Sequence, residues 1–437
     1  MKIFCSGIGG IGLSAYAAYQ KAAGHTVCGS DSVDSEIIFD LRSQDVEISL
    51  NQDGNAVSER FELFVHTLAI PEDHPELCKA KQLGIECITY FEALGRLTDT
   101  WKSVNREGKL IAVCGTHGKS STTAMCTKMF LDAGLNPSVI LGTKMKELNE
   151  RNWRKAVPRG SEGALRGDGN IFLVEACEYR RSFLNLNPDI ILVTNINGDH
   201  FDVFRDMTDY ENAFKEFFAK LTKNGSLITH NDITLYSNNS KFNIIDTDKF
   251  DSPELQVPGK HMQENAKLVM ALADHLGIKD IEKSLSEYSG CWRRSEIKGE
   301  FSDALLIDDY AHHPREIKTT LEGIKKSYPD RRLVCVFQPH THDRTIKLYD
   351  EFLVSFESAD VVIIPNIYDA RGECDSGKVD IEKFIADIQE GSNAQVIHGK
   401  SLEETALVLK DEIIKPGDVV ITMGAGDVWK ICDMLNP

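Results

Sequence analysis

The stretch LIAVCGTHGKSSTTA, residues 110–124, reads as a buried strand, a glycine-containing turn and the opening of a helix. Leu110–Cys114 is an unbroken apolar run, the pattern of a strand covered on both faces in a parallel sheet. Gly115-Thr116-His117-Gly118-Lys119-Ser120-Ser121 follows, and a helical pattern continues from about Thr122 to Ala133. In a strand–GK[ST]–helix unit, backbone amides cradle phosphates, the lysine neutralises the β/γ charge and the hydroxyl faces Mg2+. Val113 stands five residues before Gly118, where the common loop has glycine, so the spacing departs from that loop while the context keeps it. The reading is ATP held by Gly115 to Ser121, with Mg2+ at Ser120.

Outward from this loop, short apolar runs alternate with helical patterns, which predicts an α/β protein with parallel sheets. Three segments follow: residues 1–105, 106–295 and 296–437. In the first, KIFCSG is a strand, Ile11–Ala23 a helix and TVCGSD a second strand, and WKSVNREGK (Trp101–Lys109) is a linker. In the second, IFLVEA and DIILVTN join LIAVCG as strands, and the charged, glycine-rich stretch from Thr143 to Asn170 reads as a long surface insertion. In the third, the strands are ALLIDDY, RLVCVFQ, VVIIP, AQVIHG and DVVITMG.

Bulk properties narrow the class. A length of 437 residues suits two to four domains, and 42% hydrophobic residues suffice for sizeable cores. The net charge of -18 and the lack of a basic stripe exclude a nucleic-acid binder. Phosphate ligands must then be held by local amides and a few Lys and Arg. The 11 cysteines form no C-x-x-C pair and sit mostly in apolar runs, which predicts buried thiols in a reducing compartment. MKIFCSGIGG lacks the signal-peptide pattern, and no apolar stretch reaches the about 18 residues of a membrane span. The expected place is the cytoplasm, without membrane insertion.

Four further constellations carry chemistry. Gly7-Ile8-Gly9-Gly10-Ile11-Gly12 is a G-x-G-x-x-G between strand and helix, with Asp31 ending the next strand. Glycines there let a diphosphate approach the helix N-terminus, and an acid at that spacing suits a ribose, in NAD or in a UDP-sugar alike. Glu175 and His200 close two central strands and are candidate Mg2+ ligands, direct or through water. Asp308-Asp309-Tyr310-Ala311-His312-His313 opens the third segment's first loop, and Phe337-Gln338-Pro339-His340 with Arg344 follows the next strand. Arg293-Arg294 lies where the second and third segments meet, placed for a phosphate clamp.

In this order the motifs resemble the Mur ligase family of peptidoglycan synthesis, over essentially the whole chain. GTHGKSSTT resembles the family's P-loop, with Ser120 where Thr is usual, and Gly259-Lys260-His261 through Asn265 resembles its adenine-contacting helix start, with Met262 for a common Asn. GIGGIGLSAYA, EACEYRRSFL, DDYAHHPREI, FQPHTHDRT and MGAGDVWKI are similar to the branch that adds L-alanine. Thr341-His342-Asp343 and Asn197 depart from that branch. Several family members carry a carbamylated lysine fourteen residues after the motif histidine. Here that position is Phe214, with Lys215 one step on, as in the L-alanine branch.

The resemblance implies a three-domain fold: a Rossmann-like N-terminal domain for the UDP end, a P-loop ATPase-like central domain and a Rossmann-like C-terminal domain. It implies ATP and Mg2+ as cofactors, UDP-N-acetylmuramate and L-alanine as substrates, and a monomer or weak homodimer. Gly9, Gly10, Ile11, Gly12 and Asp31 are then the UDP-sugar site. Ser120, Glu175 and His200 are the metal site. His261, Asn265, Arg294 and Asp309 join the P-loop around ATP. Lys119, His200, Arg294, His313 and Arg344 are the catalytic set, with Arg344 on the amino acid's carboxylate and His313 on its amine. The alternatives are a ligase that recycles murein tripeptide, a non-catalytic Mur-like nucleotide binder and an NAD-dependent oxidoreductase. The last leaves the P-loop unexplained.

Overall fold

The computed structural model describes residues 1–157, 169–198, 203–230, 232, 242–368 and 378–436. Their strands form three sheets. The first contains β1 (Lys2–Ser6), β2 (Thr26–Ser30), β3 (Glu47–Ser49), β4 (Leu63–His66) and β5 (Glu86–Thr89), all parallel in the order β3-β2-β1-β4-β5. The order reverses between β1 and β4, the place where open α/β sheets bind ligands. The glycine loop leaves β1 at that point.

The second sheet contains β6 (Lys109–Cys114), β7 (Ser138–Met145), β8 (Arg151–Arg154), β9 (Ile171–Glu175), β10 (Ile190–Val193), β11 (Ser226–Thr229) and β12 (Asn243–Asp246), in the order β12-β11-β10-β6-β9-β7-β8. Only β8, at the edge, is antiparallel. Leu110–Cys114 is buried throughout, as its continuous apolar run requires in a parallel sheet. The helix Lys119–Asp132 is buried from Ser120 to Phe130, although it is rich in Ser and Thr. Two of its hydroxyls are satisfied inside the helix: Thr123 donates to the Lys119 carbonyl at 2.8 Å and Thr127 to that of Thr123 at 2.8 Å. Burial of these groups therefore avoids the cost of an unmade hydrogen bond.

The third sheet contains β13 (Glu296–Phe301), β14 (Ala304–Asp309), β15 (Leu333–Phe337), β16 (Val361–Pro365), β17 (Gln395–Lys400) and β18 (Val419–Met423), in the order β13-β14-β18-β15-β16-β17. β13 is the antiparallel edge. Because β18 inserts between β14 and β15, Asp309, Met423 and Phe337 align in register and their following loops emerge side by side.

Two compact units result: Met1–Pro253 with Glu264–Ser286, and Glu254–Gln263 with Glu287–Pro437. The first two sheets share the first unit. Tyr19 of the helix Ile11–Ala22 lies 5.5 Å from Phe172 of β9, and Trp153, Tyr90 and Leu97 pack against both of the unit's larger cores.

Two expectations change. Trp101 is buried in the helix Tyr90–Val104, so the linker from Trp101 to Lys109 shrinks to residues 105–108. Trp101 packs edge-on to Phe172 at 5.4 Å, and that burial extends the helix into a stretch of polar composition. Thr143 to Val157 is not a surface insertion. It completes β7, turns through Asn149 and Glu150 with φ of 56° and 57°, and returns as β8 against the helix Ile11–Ala22. Residues 158–168 of that stretch lie outside the described residues. The expected buried thiols are found at Cys5, Cys28, Cys114, Cys126, Cys291, Cys335 and Cys432, whereas Cys78 is exposed.

Candidate active site

The P-loop turns between β6 and its helix at Gly115, with φ 134°, and Gly118, with φ 82°. Both conformations disfavour L side chains. A Cβ on Gly115 would stand 2.0 Å from the Thr194 hydroxyl, so the backbone there must approach closely. Gly118 caps the helix without any side-chain hydrogen bond, leaving the first-turn N–H groups directed at the loop's concave side. That is an anion site by geometry and dipole. The loop is clamped by the end of β10. Thr116 N donates to Asn195 O at 2.9 Å, His117 N to Asn195 Oδ1 at 3.1 Å, and Asn195 Nδ2 returns to His117 O at 3.0 Å. The buried Asn265 side chain sits against Gly118.

Lys119 Nζ donates to Gly115 O at 2.6 Å and Thr116 O at 2.9 Å, and pairs with Glu178 at 2.9 Å. Burial pulls the ammonium's pKa down, but the Glu178 charge, with Cys177 and Glu175, outweighs it and holds the value above its ordinary level. The lysine is therefore charged across the working pH range. Glu178, only 1% exposed on its side chain, went unnoticed in the sequence, although it lies in the quoted EACEY motif three residues after Glu175.

Ser120 Oγ donates to Glu175 Oε1 at 3.0 Å, and Gly142 N to Glu175 Oε2 at 2.8 Å. A hydroxyl and a carboxylate at the phosphate end of the loop are hard oxygen donors of the kind Mg2+ takes. Among the described residues no group of three or more His, Cys, Asp or Glu is assembled for a metal. Two protein oxygens suit Mg2+, which keeps water and phosphate oxygens as its other ligands. His200 lies outside the described residues. Phe214 is fully buried, with Phe183, Tyr210 and Phe218 around its ring at 5.2–6.3 Å, while Lys215 is exposed. No amine enters the core at that position.

The glycine loop after β1 is held from β2. Gly7 N and Ile8 N donate to Ser30 O at 2.9 and 3.0 Å, and Gly9 N to Asp31 Oδ2 at 2.8 Å. The other Asp31 oxygen accepts from Val33 N at 3.2 Å. Asp31 thus supports the loop itself, a role its spacing did not distinguish from ribose binding. Gly10 precedes the helix Ile11–Ala22 with no side-chain cap, so Ile11 and Gly12 open a second anion-facing N-terminus. Beneath the loop, the fully buried Glu76 accepts from Ser6 Oγ at 2.5 Å and Ser30 Oγ at 2.6 Å.

The β7–β8 hairpin joins the two loops. At one side Gly142 touches Glu175. At the other, Lys144 pairs with Glu36 at 2.8 Å, and Asn152 Nδ2 donates to Ile11 O at 2.5 Å and Ser14 Oγ at 3.2 Å.

In the second unit, Arg293 and Arg294 do not share a role. The Arg293 guanidinium is buried and donates to the carbonyls of Gly424 and, at 2.8 Å, Gly426, tying the turn after β18 to residue 293. Its Nε faces Asp308 at 3.5 Å. Burial pushes the Asp308 carboxyl up to about 7, against the pull of Arg293 and the Thr422 hydroxyl. Arg294 lies over the Tyr310 ring at 5.0 Å. Asp309 accepts from Ser295 N at 2.7 Å and Ala311 N at 2.8 Å, tying residue 295 to the loop after β14. His261 belongs to this unit, beside Gly259.

His312, which the sequence did not single out, is the histidine that gathers charge. Burial lowers its pKa, Glu316 opposes this, and Arg344 and Arg294 lower it further. That places Arg294 and Arg344 each within electrostatic reach of His312. His313 caps the helix Pro314–Ser327, its ring nitrogen accepting from Arg315 N at 3.4 Å. Arg344 lies on the short helix His342–Lys347, capped by Thr341 at φ 68°. His340 stacks on Tyr368 with ring centroids 5.4 Å apart.

Three family models match the chain: Mur ligase family, catalytic domain, over residues 2–102; Mur ligase middle domain, over 113–247; and Mur ligase, glutamate ligase domain, over 293–426. The chain is 35% identical to a UDP-N-acetylmuramate–L-alanine ligase of Clostridium novyi (strain NT), covering 99% of this chain and 96% of that one. It is 36% identical to the protein of the same name from Desulfitobacterium hafniense (strain Y51), covering 99% and 98%. A crystal structure of UDP-N-acetylmuramate-alanine ligase from Thermotoga maritima is similar with a TM-score of 0.78 and 25% identity, covering 100% of this chain and 98% of that one. A murein peptide ligase from Psychrobacter arcticus shares the fold at TM-score 0.68 and 21% identity, covering 100% and 98%.

Proposed function

The chain belongs to the Mur ligase family, and on that premise we propose that it joins L-alanine to the carboxylate of UDP-N-acetylmuramate in peptidoglycan synthesis, as an ATP-dependent, ADP-forming ligase. The observation that carries the reading is the coexistence, in one compact unit, of two uncapped helix N-termini behind glycine loops, one of them with Lys119. An ATP phosphate and a sugar diphosphate each need one. An NAD-dependent oxidoreductase has no use for the second.

A carboxylate is a poor electrophile, so it is first phosphorylated. One carboxylate oxygen attacks the γ-phosphorus, the bond to the β,γ-bridging oxygen breaks, and ADP leaves with that electron pair. The alanine amine then attacks the acyl phosphate and expels phosphate. In this reading Lys119 and Arg294 neutralise charge on the transferring phosphoryl group, where preorganised charges act most strongly. Gly115 to Ser121, with His261, Asn265 and Asp309, hold the nucleotide. Mg2+, when bound, supplies further neutralisation, and Ser120, Glu175 and His200 are the residues proposed to hold it. Arg344 takes the alanine carboxylate as a fork. His312 joins His313 as a candidate to receive the amine proton, because its lowered pKa favours the neutral base. Gly9 to Gly12 take the UDP end, with Asp31 fixing the loop. Residues 1–105, 106–295 and 296–437 are the corresponding functional divisions, and we place the enzyme in the cytoplasm as a monomer or weak homodimer. No helix among the described residues is long and apolar enough to cross a membrane.

The test is ADP release measured with each substrate omitted in turn. Release that requires both UDP-N-acetylmuramate and L-alanine supports the proposal. Release with L-Ala-D-Glu-diaminopimelate in place of alanine would move the chain to the recycling ligases, and no release under any combination would make it a nucleotide binder.

A further inference from the structure

Tyr90 is the first residue of the helix Tyr90–Val104, whose start is fixed by a capping box between Thr89 and Glu92. Its ring lies against Gly12. A Cβ built on Gly12 would stand 2.8 Å from Tyr90 Cε1, 2.9 Å from Cζ and 3.0 Å from the hydroxyl oxygen. The hydroxyl end of the ring, not its base, thus lies on the glycine loop. The same side chain packs against both of the first unit's larger cores. The Glu175 and Cys177 side chains are near enough to act on it electrostatically. Glu175 in turn accepts from Ser120 at the P-loop. Tyr90 is therefore a side chain that meets the UDP-sugar loop with its hydroxyl while sensing the carboxylate of the proposed metal site. Among the described residues no protein group is hydrogen-bonded to that hydroxyl.

On the ligase reading above, the reacting carboxylate lies between the two loops. On that reading the sugar's diphosphate would lie at the helix opening with Ile11 and the γ-phosphate at Lys119, and attack needs oxygen and phosphorus about 3–3.5 Å apart. The substrate must span from one loop to the other, past the ring that touches Gly12.

We propose that the Tyr90 hydroxyl donates a hydrogen bond to the reacting carboxylate of the UDP-sugar and holds it in line with the γ-phosphate of ATP. The inference rests on the ligase reading above. One carboxylate oxygen keeps its lone pair for phosphorus, the other accepts from the phenol, and the proton stays on Tyr90 throughout. A neutral donor suits this place. A lysine or arginine would pair with Glu175 and compete with the metal.

The test is Tyr90→Phe, which removes one oxygen and keeps the ring against Gly12. Two quantities are read: kcat for ADP release, and the Kd for UDP-N-acetylmuramate alone by calorimetry. A lost hydrogen bond to a charged group in the transition state predicts a fall in kcat on the order of 10- to 100-fold. The Kd should stay within about threefold, because the diphosphate contacts are untouched. A kcat within twofold of wild type overturns the proposal. So does a loss that appears as weaker UDP-sugar binding, since the tyrosine would then serve only the glycine loop. The melting temperature of the variant guards against a folding defect, and Tyr90→Met provides a second hydroxyl-free side chain expected to behave alike. If wild-type protein releases no ADP with these substrates, the ligase reading itself fails, and that is seen before any variant is made.

Discussion

Replacing Lys119 by alanine should cost catalysis and stability for separable reasons. The ammonium is 14% exposed and pairs at 2.9 Å with Glu178, whose side chain is 1% exposed. Removing one partner of a buried pair costs about 3–5 kcal/mol. The ceiling is set by protonation of the carboxyl left behind: neutralising a group of ordinary pKa about 4.3 at pH 7 takes about 3.7 kcal/mol. The variant should therefore lose about 3–4 kcal/mol, a fall in the first unit's melting midpoint of roughly 6–16 °C. In the variant the Glu178 carboxylate is left buried without its cation. Turnover should fall by about 100-fold or more at every pH, since the charge on the γ-phosphate is gone, while UDP-N-acetylmuramate binding stays nearly intact. Calorimetric melting, with ADP release under the same conditions, measures both. Adding Glu178→Gln should recover the melting temperature and none of the activity. Wild-type turnover in the single variant would remove this loop from ATP binding. A deficit that the second substitution does not relieve would refute the ion-pair account.

Four further outcomes follow from the geometry. Gly142→Ala would bring a Cβ to 2.8 Å from Glu175 Oε1, and the carboxylate, at the end of a flexible side chain, should swing off Ser120. The Mg2+ concentration for half-maximal rate should then rise about tenfold, with the UDP-sugar KM unchanged; an unaltered Mg2+ titration would show that Glu175 does not serve the metal. Because Phe214 fills the core where a carbamylated lysine would stand, activity should be indifferent to bicarbonate depletion, and rescue by added bicarbonate would contradict this. Asp308, raised to about 7 and facing Arg293, Thr422, Glu296 and Asp309, contributes stability that is full below its unfolded pKa of about 3.9 and is lost as the pH climbs through 7. Asp308→Asn should flatten that decline in the second unit's melting between pH 5 and 8, and an identical slope in the variant would assign it elsewhere. Arg344→Lys should raise the alanine KM about tenfold, or about 1.4 kcal/mol, and leave the ATP KM alone; an unchanged alanine KM takes Arg344 out of the pocket.

What could be read without a structure was local. Buried parallel strands write themselves as continuous apolar runs, so β1, β6, β9, β10, β14, β15, β16 and β18 were legible within a residue or two. The glycine loops were legible because positive φ and close approach demand glycine at the turn itself, as at Gly7, Gly115 and Gly118. The same holds for Lys119, which serves its loop from the adjoining helix. The short strands β3, β5 and β12 and the polar edge strand β8 were not legible, since edge pairing needs no apolar alternation.

Partner choice belonged to the tertiary structure. Asp31 turns back onto Gly9, Glu178 rather than Glu175 takes Lys119, Asn152 reaches 141 residues back to Ile11, and His313 uses one ring nitrogen on a helix cap while His312 feels the charge of Arg344. Each depends on where separate segments come to rest beside one another. A residue's type determines what it is able to bond, from its own chemistry and its nearest neighbours. Which group it meets is settled by register and packing between distant segments, where burial makes an unpaired charge too costly to leave and so selects the arrangement that pairs it.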